Sequence, residues 1–160
     1  MTHTSLFTRN KSGRYAEADK QTICETAAQY VKPIAGQSIR SPNDTHDFLR
    51  AKLAHLEHEL FCIIYLDNRH RVIAFEELFR GTVDGTSVYP REIVKQALRN
   101  NAAAVILAHN HPSGVAEPSQ ADERITKRVK AALELIDCRM LDHVIIGNDK
   151  STSLASRGML

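Results

Sequence analysis

The chain has no tryptophan and only three cysteines, at positions 24, 62 and 138, with no C-x-x-C pair among them. So odd and scattered a set argues against a disulfide framework. Cys62 falls in an apolar run and Cys24 in a helical pattern, and both are expected to be core thiols. No apolar stretch approaches the ~20 residues of a membrane span. The polar start Met1-Thr2-His3-Thr4 has no signal-peptide core, so the expectation is a cytoplasmic protein without membrane contact. Charge of one sign is scarce too: 21 basic residues against 19 acidic leave a net charge of +2, too balanced to imply nucleic-acid binding by itself. The motifs G-x-S-x-G, Walker A, H-E-x-x-H, and H-x-E with P-C-x-x-C are all missing.

What is present reads as an ordinary soluble α/β chain. At 160 residues it has room for one domain with a sizeable core and an appended segment. Residues 1–40 form that segment. It is polar and poorly ordered over 1–16, then helical from Asp19 to Val31, with Pro33 and Gly36 ending the helix. The domain occupies 41–160. Ser41-Pro42-Asn43-Asp44 opens a helix with Leu49, Leu53 and Leu56 on its buried stripe. Leu60 to Leu66 and Arg71 to Phe79 read as a hairpin around Asp67-Asn68-Arg69-His70, and Asp84-Gly85 as a further turn. Pro90 suits the first turn of a helix that turns Ile93, Val94, Ala97 and Leu98 inward. A buried strand over 103–109, a polar loop, and a helix from Ser119 to about Ile136 follow. In that helix Ile125, Val129, Ala132, Leu133 and Ile136 face inward. Val144 to Ile146 makes a late strand, and Asn148-Asp149-Lys150 a turn before the tail. Helices interleaved with strands predict a central mixed sheet flanked by helices.

The chemistry gathers after the 103–109 strand, in His109-Asn110-His111-Pro112-Ser113-Gly114, followed by Ser119 and Asp122. Residues at i and i+2 of an extended chain point to one side, so both imidazoles can reach one ion. Asp122 lies where the loop hands over to a helix, close enough to add a carboxylate. Two histidines and an aspartate, with one position left open, are the usual ligand set of a catalytic zinc. Other readings of the same residues stand beside this one. Ser119 and Asp122 also have the spacing of a helix N-cap and its N3 acid, and a His-x-His pair alone is often just loop. The literal string HNH does not make the nuclease site of that name, whose residues are spread over a longer hairpin and helix. On a helix His55 and Glu59 would share a face and admit an accessory metal, against the plainer reading of a solvated face. The basic stretch Arg124 to Lys130 is likewise either a solvated helix face or a contact for an acidic partner.

The segment resembles the JAMM motif of the JAB/MPN metallopeptidases. HNHPSG, PSxAD, PRE at 90–92 and LDH at 141–143 make it similar to the RadC-like branch, over about Ser41 to Leu160. The resemblance implies an MPN-type mixed sheet and one Zn2+ per chain, held by His109, His111 and Asp122. It also implies that Ser119 stabilises the transition-state oxyanion and that an upstream Glu activates the zinc-bound water. The matching position is Glu59, with Glu57 as its competitor. Many RadC relatives carry an N-terminal helix-hairpin-helix part that residues 1–40 do not offer, so a short, stand-alone form is expected. The expected activity is zinc-dependent hydrolysis of peptide or isopeptide bonds in a peptide or protein substrate. The alternatives are a protein-docking module without strong catalysis and a DNA-repair-associated factor, the latter with weak support for nucleic acid as a partner.

Overall fold

Every side chain of Leu60–Leu66 is buried, on both faces of the strand. A strand apolar throughout needs cover on both sides. The computed structural model, which describes residues 7–9, 14–19, 21–23, 42–81 and 87–160, supplies that cover. In chain order its elements are β1 (Phe7–Arg9), β2 (Tyr15–Glu17), α1 (Pro42–Leu53), β3 (Leu60–Leu66) and β4 (Val72–Arg80), then α2 (Pro90–Arg99), β5 (Ala104–Asn110), α3 (Gln120–Glu134), β6 (Arg139–Ile146) and β7 (Ser151–Ser153). The last five strands form one sheet in the order β4-β3-β5-β6-β7. β3 runs antiparallel to both β4 and β5, β5 and β6 are parallel, and β7 is antiparallel to β6. This is the mixed α/β sheet flanked by helices that the element order predicts.

Period-2 alternation divides the core. Cys62, Ile64, Leu66, Ile106, Ala108, Val144 and Ile146 meet Phe48, Leu49 and Leu53 of α1 on one face. Ile63, Tyr65, Val105 and Leu107 meet Ile93 and Ala97 of α2 and Val129 and Leu133 of α3 on the other. Cys62 and Cys138 lie in these two cores, and burial pushes both thiols up. Cys24 is outside the described residues. Pro90 stands at the first turn of α2 after the N-cap Tyr89.

Several expectations need correction. Leu98 is 60% exposed, because α2 covers the sheet with Ile93 and Ala97, flanked by the partly buried Val94. Helix α1 stops at Leu53, so His55 and Glu59 do not share a helix face and the accessory site there falls away. Leu56 still packs on the core, from beyond the helix end. Strand β6 begins at Arg139, five residues before Val144, and the tail supplies strand β7. Near the start, β1 and β2 pair as an antiparallel ribbon where the polar composition predicts no order. Of the expected helix from Asp19 to Val31, Asp19 and residues 21–23 are described, with Asp19 accepting from the Thr22 amide at 2.7 Å. The expected turn at Asp84-Gly85 is outside the described residues.

Candidate metal centre

The site sits at the C-terminal end of β5, where the parallel β5–α3–β6 crossover opens. In α/β sheets that is the end of a strand at which ligands collect. His109 is the last but one residue of β5, 1% exposed, its ring stacked on Phe61 of the neighbouring strand at 5.8 Å and 9°. His111 follows in the loop, held by its backbone amide donating to the Ile146 carbonyl at 2.9 Å. Asp122 comes from the third position of α3. One ligand atom from each of the three lies within 4.8 Å of the others. His109 Nε2 is 3.2 Å from Asp122 Oδ1, and His111 Nε2 is 3.4 Å from Asp122 Oδ2 and 3.0 Å from His109 Nε2.

The two readings of Ser119 and Asp122 turn out to be compatible. Ser119 is the N-cap of α3 and forms a complete capping box with Asp122. The Ser119 amide and hydroxyl both donate to Asp122 Oδ2, at 2.7 and 2.6 Å, and the Asp122 amide donates to Ser119 Oγ at 3.2 Å. The cap fixes the carboxylate, and the same carboxylate faces the histidines.

The hydrogen-bond network behind the ligands decides which imidazole nitrogens carry protons. Thr126 Oγ1 lies 2.6 Å from the Asp122 carbonyl and 2.6 Å from His143 Nδ1. The carbonyl can only accept, so the hydroxyl proton goes to it and His143 Nδ1–H donates to Thr126. His143 Nε2 is then an acceptor, and it takes the proton of His109 Nδ1 at 2.9 Å. In the neutral ring this leaves the lone pair on His109 Nε2. His111 Nδ1 donates to the Val115 carbonyl at 2.8 Å, which leaves the lone pair on its Nε2 as well. With both rings neutral, two lone pairs and a carboxylate converge, and such a set repels itself unless a positive charge, a metal ion or a proton, lies between them. A donor set of two imidazoles and a carboxylate fits a divalent metal.

Without an ion between these groups, protons on the imidazoles take its place beside the Asp122 carboxylate. Burial drives the His143 pKa well below its usual value, with His109 adding to the effect, so His143 serves as a neutral acceptor. Burial disfavours the charged form of Asp122, yet hydrogen bonds from His109, His111 and Ser119 hold its carboxyl far below the carboxylate range. The bond to Asp122 raises the His111 pKa against the opposing effect of burial. The Val115 carbonyl and the charges of Asp122 and Glu59 add to that rise.

Glu59 directly precedes β3, and its charge reaches His111. Phe61 pairs with His109 across β3 and β5, so Glu59 and His111 leave that ladder at the same end. Glu57 is exposed. His143 and Thr126 escaped the sequence reading as supporting groups. They lie 34 and 17 residues from His109, and only the sheet register and the α3 packing bring them behind it. The LDH run at 141–143 was a signal for His143, though it carried no role.

Residues 39–159 match the RadC-like JAB domain. The chain belongs to this family. It is 54% identical to a UPF0758 protein of Thioalkalivibrio sulfidiphilus, over 93% of this chain and 66% of that one. A UPF0758 protein of Marinobacter nauticus is 61% identical over 78% of this chain and 56% of its own. A UPF0758 protein of Vibrio cholerae is 52% identical along the full length of both. The chain therefore spans about two thirds or less of the first two relatives. None of these names states an activity. Among the described residues, no helix is long and apolar enough to cross a membrane.

Proposed function

We propose that the protein is a zinc-dependent hydrolase of peptide or isopeptide bonds. The observation that carries this reading is the convergence of His109 Nε2, His111 Nε2 and the Asp122 carboxylate, with the charge of Glu59 reaching His111. His109, His111 and Asp122 would hold the ion. When bound, zinc lowers the pKa of a coordinated water to about 7 and polarises a carbonyl.

The remaining work belongs to the chain. Glu59 accepts the proton of the attacking water and returns it to the departing amine, so the amide bond breaks without releasing an unprotonated amide anion. Ser119 turns its hydroxyl from Asp122 toward the carbonyl oxygen as charge develops there. The cap keeps a second hold on Asp122 during that turn, through the Ser119 amide. Phe61 and His143 fix the His109 ring, so the site is preorganised before substrate arrives.

The test measures cleavage of a broad peptide and isopeptide library alongside DNA affinity, on one preparation at near-physiological salt. The expected result is cleavage that a chelator abolishes and zinc restores, with DNA binding weak and salt-sensitive. Tight specific DNA binding with metal-dependent DNA cleavage, and no peptide cleavage, would overturn the reading. Inactivity on both would favour a docking module.

A further inference from the structure

Between the two histidines stands Asn110, 2% exposed, at the last position of β5. Alternation along the strand sends its side chain to the face opposite His109, away from the other ligands. There its carboxamide is fully engaged with one short segment. Oδ1 accepts from the Leu60 amide at 2.8 Å, and Nδ2 donates to the His58 carbonyl at 3.0 Å and to the Leu56 carbonyl at 3.4 Å. The His58 carbonyl and the Leu60 amide belong to the two peptide planes that flank the Cα of Glu59. The second of those planes is held again, by the Gly81 amide donating to the Glu59 carbonyl at 2.8 Å.

Residues 54–59 connect α1 to β3 and lie in neither element, so apart from the Gly81 bond to Glu59 no ladder sets their backbone geometry. One buried side chain provides what the ladder does not. We infer that Asn110 is a positioning residue, which locks the backbone on both sides of Glu59 to the strand that carries His109 and His111. The spacing between the base and the ligands is then set within β5 itself, so a shift of α1 does not alter it. The inference rests on Glu59 being the base, as proposed above. It gives the residue between the two histidines a task of its own. A small side chain there would take this partner from the buried Leu60 amide and the half-buried Leu56 and His58 carbonyls and leave the base free to wander.

The test loads the full-length chain with cobalt(II) in place of zinc, as wild type, Glu59→Gln, Asn110→Ala and the double variant. Two quantities are read: cobalt bound per chain, and the pH midpoint of the change in cobalt absorption. Asn110→Ala is expected to bind cobalt at the wild-type stoichiometry and to move the midpoint in the same direction as Glu59→Gln. In the double variant it should add nothing to Glu59→Gln, because both act through one group. On any peptide that the wild type cleaves, kcat should fall on the order of 100-fold with KM near its original value. Asn110→Leu keeps the buried volume and replaces the alanine variant if that one unfolds.

A wild-type midpoint in Asn110→Ala beside a shifted one in Glu59→Gln would overturn the clamp alone. An unshifted midpoint in Glu59→Gln would overturn the assignment of the base, and the clamp with it. Loss of cobalt from a folded Asn110→Ala would mean that Asn110 supports the ligands instead. Failure of both Asn110 variants to fold would make it a residue of the fold only, and would also contradict the inference.

Discussion

Glu57 and Glu59 differ by two positions and by their surroundings. Glu57 is exposed, whereas the backbone of Glu59 is tied on both sides and its charge reaches His111. Glu59→Gln should therefore keep its metal and lose hydrolysis by roughly 100- to 10,000-fold, while Glu57→Gln leaves both unchanged. Metal analysis and a cleavage assay on the two variants check this, and the reverse pattern would move the base to Glu57. A second expectation concerns His143. Replacing it by Phe fills the space but leaves His109 Nδ1–H without its acceptor, so the bare Nε2 is no longer enforced. Metal affinity, measured by competition with a chelator, should weaken by about 10- to 100-fold. Unchanged affinity would show that the relay through Thr126 does not set the tautomer. At this scale the grouping of His109, His111 and Asp122 was legible, because they are close in sequence and their spacing brings them together, with Ser119 in the same run as the cap of α3. Thr126, His143 and the clamp at Asn110 were not legible. Each acts on a residue that only the folded sheet makes its neighbour.

Strand, loop and helix are the elements that aim the site, and their junction is closed by backbone contacts. The amide of His111 donates to Ile146, and the Gly114 carbonyl accepts from Asn148 at 3.0 Å, so the loop after β5 lies on the turn after β6. Gly114 has φ +82°, in the region where glycine is favoured. A Cβ on Gly147 would collide with the Gly114 carbonyl oxygen. Gly147→Ala should push this loop off the β6–β7 turn, lowering stability by about 1–3 kcal/mol in urea unfolding and weakening metal binding with it. Wild-type stability and affinity would mean that the turn does not hold the loop. Apolar runs made β3 and β5 readable in the sequence, and the capping pattern did the same for α3. The first half of β6 was hidden because Arg139-Met140-Leu141-Asp142 mixes charge with partly exposed apolar residues. β7 offers only Ser-Thr-Ser, whose place depends on a neighbouring strand.

For the whole molecule, the decisive feature is that the sheet is covered on both faces by apolar cores, which the candidate metal centre meets through His109 on Phe61. The centre is grafted on a structure that already buries its apolar surface. The metal-free protein should therefore keep its far-UV circular dichroism and unfold cooperatively, unlike a zinc finger. Collapse of the spectrum on adding chelator would contradict that. The family match covers residues 39–159, which include the whole of this sheet and both of its cores. The central claim is that His109, His111 and Asp122 together hold one metal ion. Its most direct test is elemental analysis of protein purified without chelator and dialysed against trace zinc, as wild type and as the His109→Ala/His111→Ala variant. The account predicts about one zinc per chain in the wild type and almost none in the variant. Equal zinc in both, or a wild type that takes up none, would contradict it.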